Sequence, residues 1–134
     1  MTDEIVNLTP HAIDLYKGKT LCMSIAPSGQ TLRVHNPLNK PIGDVYVKAN
    51  DNDASVNNYV FQIVRKVFAP ETAVLIDEQN NVIGPLPVAE DGKFYIVSRI
   101  AAMAMPERTD LLMVDGTIRD DTGRIIGCTG FAIV

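Results

Sequence analysis

The stretch that decides the fold is residues 95–127, YIVSRIAAMAMPERTDLLMVDGTIRDDTGRIIG. It divides into a predicted buried strand, a short apolar helix, a charged segment and a hairpin-like pair of strands. In chain order these pieces are Tyr95–Ser98, residues 99–106, Glu107–Asp110, and Leu111–Arg119 with Arg124–Cys128. The helix is expected to stop at Pro106, because proline cannot continue a helical hydrogen-bond ladder. Apolar scaffold and fixed charge therefore lie side by side here, as a binding site needs.

The rest of the chain predicts a mainly β (α+β) fold. Residues 12–16 alternate apolar and polar side chains, which is strand spacing, and Lys17-Gly18-Lys19 follows as a tight turn. The first three strands, near residues 5–8, 12–16 and 21–26, predict a β-meander. With one short helix near residues 99–106, we expect a small antiparallel sheet or a barrel-like domain.

The middle of the chain is harder to interpret. Residues 36–43 contain Pro37 and Pro41 and are predicted to be loop, and the polar residues 50–58 are predicted to be a second loop. Residues 56–68 fit helical apolar spacing, but their β-branched side chains favour a strand. The neighbouring strands favour the strand alternative, and the helix alternative stays open.

Length and charge limit the classes of protein that this chain can represent. It has 134 residues, which predicts one domain over residues 1–134. The net charge of −4 argues against a partner that is a nucleic-acid polymer. No run of about 18 apolar residues predicts a membrane span, and the acidic N-terminus does not resemble a signal peptide. Cys22 and Cys128 are expected to be reduced core thiols of a cytosolic protein.

No motif in the chain names a reaction, so we predict no catalytic residue, no metal site and no cofactor. Asp51-Asn52-Asp53 fails as a calcium loop because Val56 and Gln62 occupy the places that need glycine and glutamate. Asp121-Thr122-Gly123 resembles the aspartic-protease tripeptide, but such an enzyme needs a second aspartate. Turn chemistry explains the tripeptide without catalysis.

Several charged and polar residues have both a structural and a functional interpretation. Arg108 and Asp110 are expected either to pair with each other or to face a ligand, because a guanidinium suits both a carboxylate and a phosphate. His11 is expected either to make hydrogen bonds within its turn or to take part in binding. The apolar residues Ile100–Met105 are expected either to lie in the core or to form a subunit contact.

Asn7-Leu8-Thr9-Pro10-His11-Ala12-Ile13 resembles an N-terminal signature of small proteins that phages and prophages encode. Further blocks that carry the resemblance are Pro27-Ser28-Gly29 with Arg33, Gly84–Pro87, Tyr95–Ser98, Arg108-Thr109-Asp110 and Arg119–Cys128. The similarity covers most of the chain, and residues 36–79 match poorly. The resemblance implies a protein of the host bacterial cytoplasm, made during infection.

Small phage proteins of this kind include sponges, which hold nucleotide-derived immune messengers such as cyclic ADP-ribose isomers without catalysis. The resemblance therefore implies a non-enzymatic, homo-oligomeric binder of a small anionic, nucleotide-like ligand. Arg33, Arg99 and Arg108 would grip phosphate, and His11 would stack or donate. The full set of expected ligand-binding residues is Asn7, Thr9, His11, Ser28, Arg33, Ser98, Arg99, Arg108 and Asp110. The alternatives are a virion or assembly protein, and a hydrolase that uses His11 or an aspartate pair.

Overall fold

The computed structural model describes residues 2–35, 37–48 and 58–134. Within them the chain is mainly β, as predicted, with one short α-helix, α1 (Arg99–Ala104), and one 3-10 turn (Pro70–Thr72). The strands are β1 (Glu4–Asn7), β2 (Ile13–Lys17), β3 (Thr20–Ile25), β4 (Thr31–Val34), β5 (Leu38–Lys48), β6 (Asn58–Val67), β7 (Ala73–Ile76), β8 (Val82–Gly84), β9 (Lys93–Ile96), β10 (Leu111–Arg119) and β11 (Ile125–Ala132).

The strands form three sheets. The largest is a curled, mixed sheet with the order β1-β9-β10-β11-β2-β3. The second has the order β4-β7-β8, and the third is the pair β5-β6. The predicted meander is wrong for its first strand, because β1 pairs with β9 in parallel and not with β2. The buried strand β9 needs backbone partners along both edges, and β1 and β10 supply them.

The organising stretch supplies much of the core, as its apolar composition predicts. Ile96 and Ala101 have no exposed surface, and Leu111 is 1% exposed. Tyr95, Val97 and Ala102 pack in the same buried cluster with residues from other strands: Leu8, Leu32, Ala73, Leu75 and Leu86. Strand β9 and helix α1 therefore lie at the centre of this part of the molecule.

The described chain divides into two compact units. We call residues 1–36 and 68–134 the body, and the β5–β6 pair, which belongs to residues 37–67, the ribbon. The expectation of one domain over residues 1–134 stays a prediction.

The ribbon corrects the loop predicted at residues 36–43. Strand β5 begins at Leu38 and runs through Pro41, where the register with β6 shifts between Pro41 and Gly43. A bulge accommodates a proline that a regular ladder would reject. Strand β6 confirms the strand alternative for residues 56–68 where the structure describes them. The predicted loop at 50–58 lies outside the described residues, except Asn58, which begins β6.

The two cysteines are free thiols, and Cys128 is buried as expected. The expectation of a core position is wrong for Cys22, which is exposed because β3 lies at the edge of the large sheet. No helix among the described residues has the length and apolarity to cross a membrane.

Candidate functional site

Thr9 and Ser98 lie at the same edge of the large sheet because they follow two parallel strands. Asn7, the last residue of β1, pairs with Ile96, the last residue of β9. Thr9 and Ser98 each come two residues after that pair, and the Leu8 N–H continues the contact by donating to the Ile96 carbonyl at 2.9 Å. Parallel pairing thus places the two hydroxyl side chains at one edge, although 89 positions separate them in the sequence.

Two cavities meet at these hydroxyl residues, since Thr9 and Ser98 line both. The larger, of about 510 Å³, also takes in His11 and Arg99. The smaller, of about 280 Å³, takes in Arg33. Five of the nine predicted ligand-binding residues therefore line adjoining space, and we call these five the candidate site.

Arg33 and Arg99 supply the positive charge of the candidate site. Arg33 is exposed on β4, and Arg99 is exposed as the first residue of α1. Neither guanidinium has a hydrogen-bond or ion-pair partner within the described parts of the chain. Both side chains are therefore free to meet an anion, and an arginine can hold a phosphate with two parallel hydrogen bonds.

Asn7 holds the turn that carries Thr9 and His11, and it does not itself face the cavities. Its side chain is buried, with the residue only 1% exposed. Its Nδ2 donates to the carbonyls of His11 at 2.8 Å and Ile25 at 3.1 Å. Its Oδ1 accepts from the Thr9 N–H at 3.0 Å and the Thr9 hydroxyl at 2.7 Å. All of its hydrogen-bonding capacity is used inside the protein, so its role here is to position the turn.

Ser98 both caps helix α1 and lines the candidate site. Its Oγ accepts from the Ala101 N–H at 3.3 Å and so caps α1. The capping bond uses the oxygen as an acceptor, and the hydroxyl hydrogen can still be donated to a ligand.

Arg108 and Asp110 form an ion pair with each other, one of the two arrangements that the sequence allows. The Arg108 Nε and Nη2 donate to the two carboxylate oxygens of Asp110 at 2.7 and 2.6 Å. These hydrogen bonds hold the pKa of Asp110 below its usual value and raise the pKa of Arg108. Arg33 and Arg99 line the two adjoining cavities, whereas Arg108 lines a different one, so the structure does not bring Arg108 together with the other two arginines.

Ser28 is also engaged locally. Its Oγ donates to the Gln30 carbonyl at 3.2 Å, and the Gln30 N–H donates back at 3.3 Å. This arrangement belongs to the turn before β4, in which Gly29 has a φ of +93°. Asn7, Ser28, Arg108 and Asp110 thus serve the scaffold, while the other predicted residues line the site.

Asp115 and Met113 were not among the predicted site residues, although they line the larger cavity from strand β10. Their alternation along a predicted strand was the available signal, since Met113 and Asp115 must share one face. Asp115 brings a negative charge into a cavity that also holds Arg99. A ligand there would need a donor group for the carboxylate as well as an anion for the arginine.

The residues with possible reactivity that the sequence singled out lie in two places. His11 and Cys128 line one cavity of about 430 Å³, but burial raises the pKa of the Cys128 thiol, opposite to what a nucleophile needs. Asp120, beside Asp121, accepts hydrogen bonds from Thr122 and Arg124, as expected of a turn. No group of three or more histidine, cysteine, aspartate or glutamate residues is placed to hold a metal ion in the described ranges.

Comparison of the chain with protein-family models, with curated proteins and with solved structures gives no match.

Proposed function

We propose that this protein is a phage-encoded, non-enzymatic binder of a small anionic, nucleotide-like ligand. It would act in the host cytoplasm as a sponge for a nucleotide-derived immune signal. The observation that supports the proposal is the candidate site: two arginines with no partner among the described residues line adjoining cavities that share Thr9 and Ser98.

The chemistry of the candidate site suits a ligand with both phosphate and polar organic groups. Arg33 and Arg99 would each take a phosphate oxygen pair, because guanidinium donors match phosphate geometry. Thr9, Ser98 and His11 would hydrogen-bond a sugar or base. The larger cavity, of about 510 Å³, lies in the range of about 300–1,000 Å³ that small-molecule sites occupy.

The Arg108–Asp110 pair favours the second candidate function, a virion or assembly protein. That alternative expects arginines in intramolecular pairs, and this arginine is in one at 2.6 Å. Detection of the protein in purified phage particles would support the alternative.

A binding experiment tests the proposed ligand class. Calorimetry and thermal shift would be run with ADP-ribose, cyclic ADP-ribose isomers and cyclic dinucleotides. We expect one of them to bind, and the double variant Arg33→Ala/Arg99→Ala to bind it about 100-fold more weakly, since hydrogen bonds to charged groups contribute about 1.5–3 kcal/mol each. The matched control, Lys17→Ala/Lys19→Ala, removes the same charge away from the candidate site and should bind normally.

Mass spectrometry of small molecules released by heating the protein, purified from infected cells, extends the search beyond that panel. If no nucleotide is released and none of the panel shifts the melting temperature, the proposal is wrong. Equal weakening by the two double variants would also contradict it, because net charge alone would then explain the effect.

A further inference from the structure

The ribbon leaves one apolar face without a partner among the described residues. Strands β5 and β6 pair along their whole length, from Leu38 opposite Val67 to Lys48 opposite Asn58, and no third strand joins them. A two-stranded ribbon is at best marginally stable in water, because it cannot bury both sides of a sheet. Such a ribbon is therefore stabilised when another protein surface covers one of its faces.

Register and alternation sort the ribbon's side chains onto two faces. Residues opposite each other in an antiparallel pair share a face, and alternate residues along a strand do too. The Tyr59 and Phe61 rings agree with this, since their centroids lie 6.5 Å apart. One face, which we call the apolar face, collects the residues Leu38, Val45, Val47, Tyr59, Phe61, Ile63 and Val67, together with the cationic pair Lys40 and Arg65.

The apolar face is open to solvent. Phe61 is 56% exposed and Val45 is 43% exposed. The opposite face is mixed, with Asp44 opposite Gln62 and Lys66 donating to Asn39 at 2.7 Å. The exposed pair Tyr46 and Val60 also lies on that opposite face, but the larger contiguous apolar patch, Val45, Val47, Tyr59, Phe61 and Ile63, is on the apolar face. Such a patch marks an interaction surface.

The area of the ribbon limits what can cover it. Ten residues at about 3.4 Å each, on two strands about 4.8 Å apart, give a footprint of roughly 330 Å². Two ribbons packed only against each other would bury roughly 650 Å² in total, less than the about 1,000 Å² that a specific interface needs. If each ribbon instead packs on the body of a second copy, two such contacts form and the buried area doubles to roughly 1,300 Å².

Charge favours the same arrangement. Residues 37–67, to which the ribbon belongs, carry four lysine or arginine residues, Lys40, Lys48, Arg65 and Lys66, against three aspartates, Asp44, Asp51 and Asp53, a net charge of +1. The body carries thirteen acidic residues against eight basic ones, a net charge of −5. Ribbon on ribbon would bring like charges together, whereas ribbon on body brings opposite charges together.

We propose that the apolar face of the ribbon docks on the body of a second copy of this chain, and that the second ribbon does the same in return. The result is a reciprocal dimer. The inference depends on the ribbon alone, not on the ligand of the candidate site. It also differs from the expectation of a contact at Ile100–Met105, since it assigns the interface to the ribbon.

The mass of the full-length protein in solution, measured by sedimentation velocity, tests the proposal with two neighbouring substitutions. Phe61 lies on the apolar face and Val60, at 55% exposure, lies on the opposite face. Wild type and Val60→Glu should sediment at twice the chain mass of 14.6 kDa. Phe61→Glu should sediment at the chain mass, with the dimer dissociation constant raised at least tenfold. A monomeric wild type, or equal effects of the two substitutions, would overturn the proposal.

A cross-linking experiment on the wild-type chain tests the same proposal without a substitution that could disturb folding. Isotopically light and heavy copies would be mixed, and a carbodiimide would join lysines to nearby carboxylates. Links between Lys40 of one copy and body carboxylates of the other are expected. Intermolecular links confined to ribbon residues would overturn the proposal by showing ribbon against ribbon. Capture of a different protein by a ribbon that does not self-associate would overturn it in favour of another partner.

Discussion

At the scale of single residues, Asn7 carries more of the fold than its small size suggests. Its carboxamide donates to two carbonyls and accepts from both donors of Thr9, so one buried side chain ties the end of β1 to the end of β3. A fully satisfied buried polar group specifies a single arrangement of the chain around it. The same hydrogen bonds fix the turn that places Thr9 and His11 in the candidate site.

Asn7→Asp should therefore destabilise the protein although the side chain keeps its size. A carboxylate can still accept from Thr9 but cannot donate to the carbonyls of His11 and Ile25, and it buries a charge against them. We expect a loss of about 3 kcal/mol in the free energy of unfolding at pH 7, measured with denaturant. Ser28→Ala, which affects only an exposed turn, should cost about 0.5 kcal/mol or less. Equal losses of unfolding free energy in the two variants would show that the hydrogen bonds of Asn7 stabilise the fold no more than those of an exposed turn.

Sequence alone could place the polar residues of the site at turns and strand ends, but could not say which would be used internally. Arg108 and Arg33 have the same chemistry, and only the distance to Asp110 separates a structural pair from a free cation. Thr9 and Ser98 meet because β1 and β9 are parallel neighbours, which is a long-range pairing that no local pattern encodes. The candidate site is therefore a product of topology.

At the scale of elements, the approach of β11 to β2 depends on a glycine. The two strands run parallel with Cys128 opposite Leu15. A Cβ at Gly127 would lie 2.7 Å from the Asp14 carbonyl oxygen and 2.5 Å from the Tyr16 ring. A ring can turn aside, but the backbone carbonyl belongs to the sheet, so a side chain here would push the strands apart.

Gly127→Ala should cost about 1–3 kcal/mol of stability, the usual range for overpacking. Gly130 on the same strand is the matched control, since a Cβ there meets nothing within 4 Å. Gly130→Ala should leave the melting temperature unchanged or raise it slightly, because alanine has less freedom to lose than glycine. A melting temperature lowered equally by both substitutions would mean that strand propensity, not close packing, decides.

Elements with local signals could be predicted, and elements with distant partners could not. Strand β2 follows from its alternation of apolar and polar residues, and the end of helix α1 follows from Pro106 as a stop. The first part of strand β5 was missed because Pro37, Pro41 and Gly43 are loop signals, and only the ladder with β6 overrides them. The place of β1 beside β9 was missed for the same reason, since its partner lies about 90 residues away.

At the scale of the whole molecule, titratable groups set a pH range of stability. Asp77, Asp110 and Asp120 have a lowered pKa in the folded state, because each accepts hydrogen bonds: Asp77 from the Asn81 backbone, Asp110 from Arg108 and Asp120 from Thr122. Groups of this kind contribute stability above their unfolded pKa of about 3.9, and the contribution is lost as pH falls through the folded value. Burial raises the pKa of Cys128, so its contribution is present below its unfolded pKa and is lost as pH rises through the folded value.

Among the three aspartates, Asp110 is the one that is buried, at 6% exposure, so it should contribute most to the loss of stability at low pH. Asp110→Asn leaves Arg108 without its counter-charge, and we expect it to lower the free energy of unfolding by about 2 kcal/mol at pH 7. The difference from wild type should shrink to less than about 1 kcal/mol at pH 3, because pH 3 lies below the unfolded pKa of about 3.9, where the unfolded wild-type carboxylate takes up a proton and the folded state loses part of its advantage. Denaturant unfolding at the two pH values measures both numbers.

The control is Asp121→Asn, in the exposed turn before β11, which should match wild type at both pH values. A deficit in Asp110→Asn that is the same at pH 3 and pH 7 would mean that the side chain acts through packing and that its charge has no part in the acid limit of the fold.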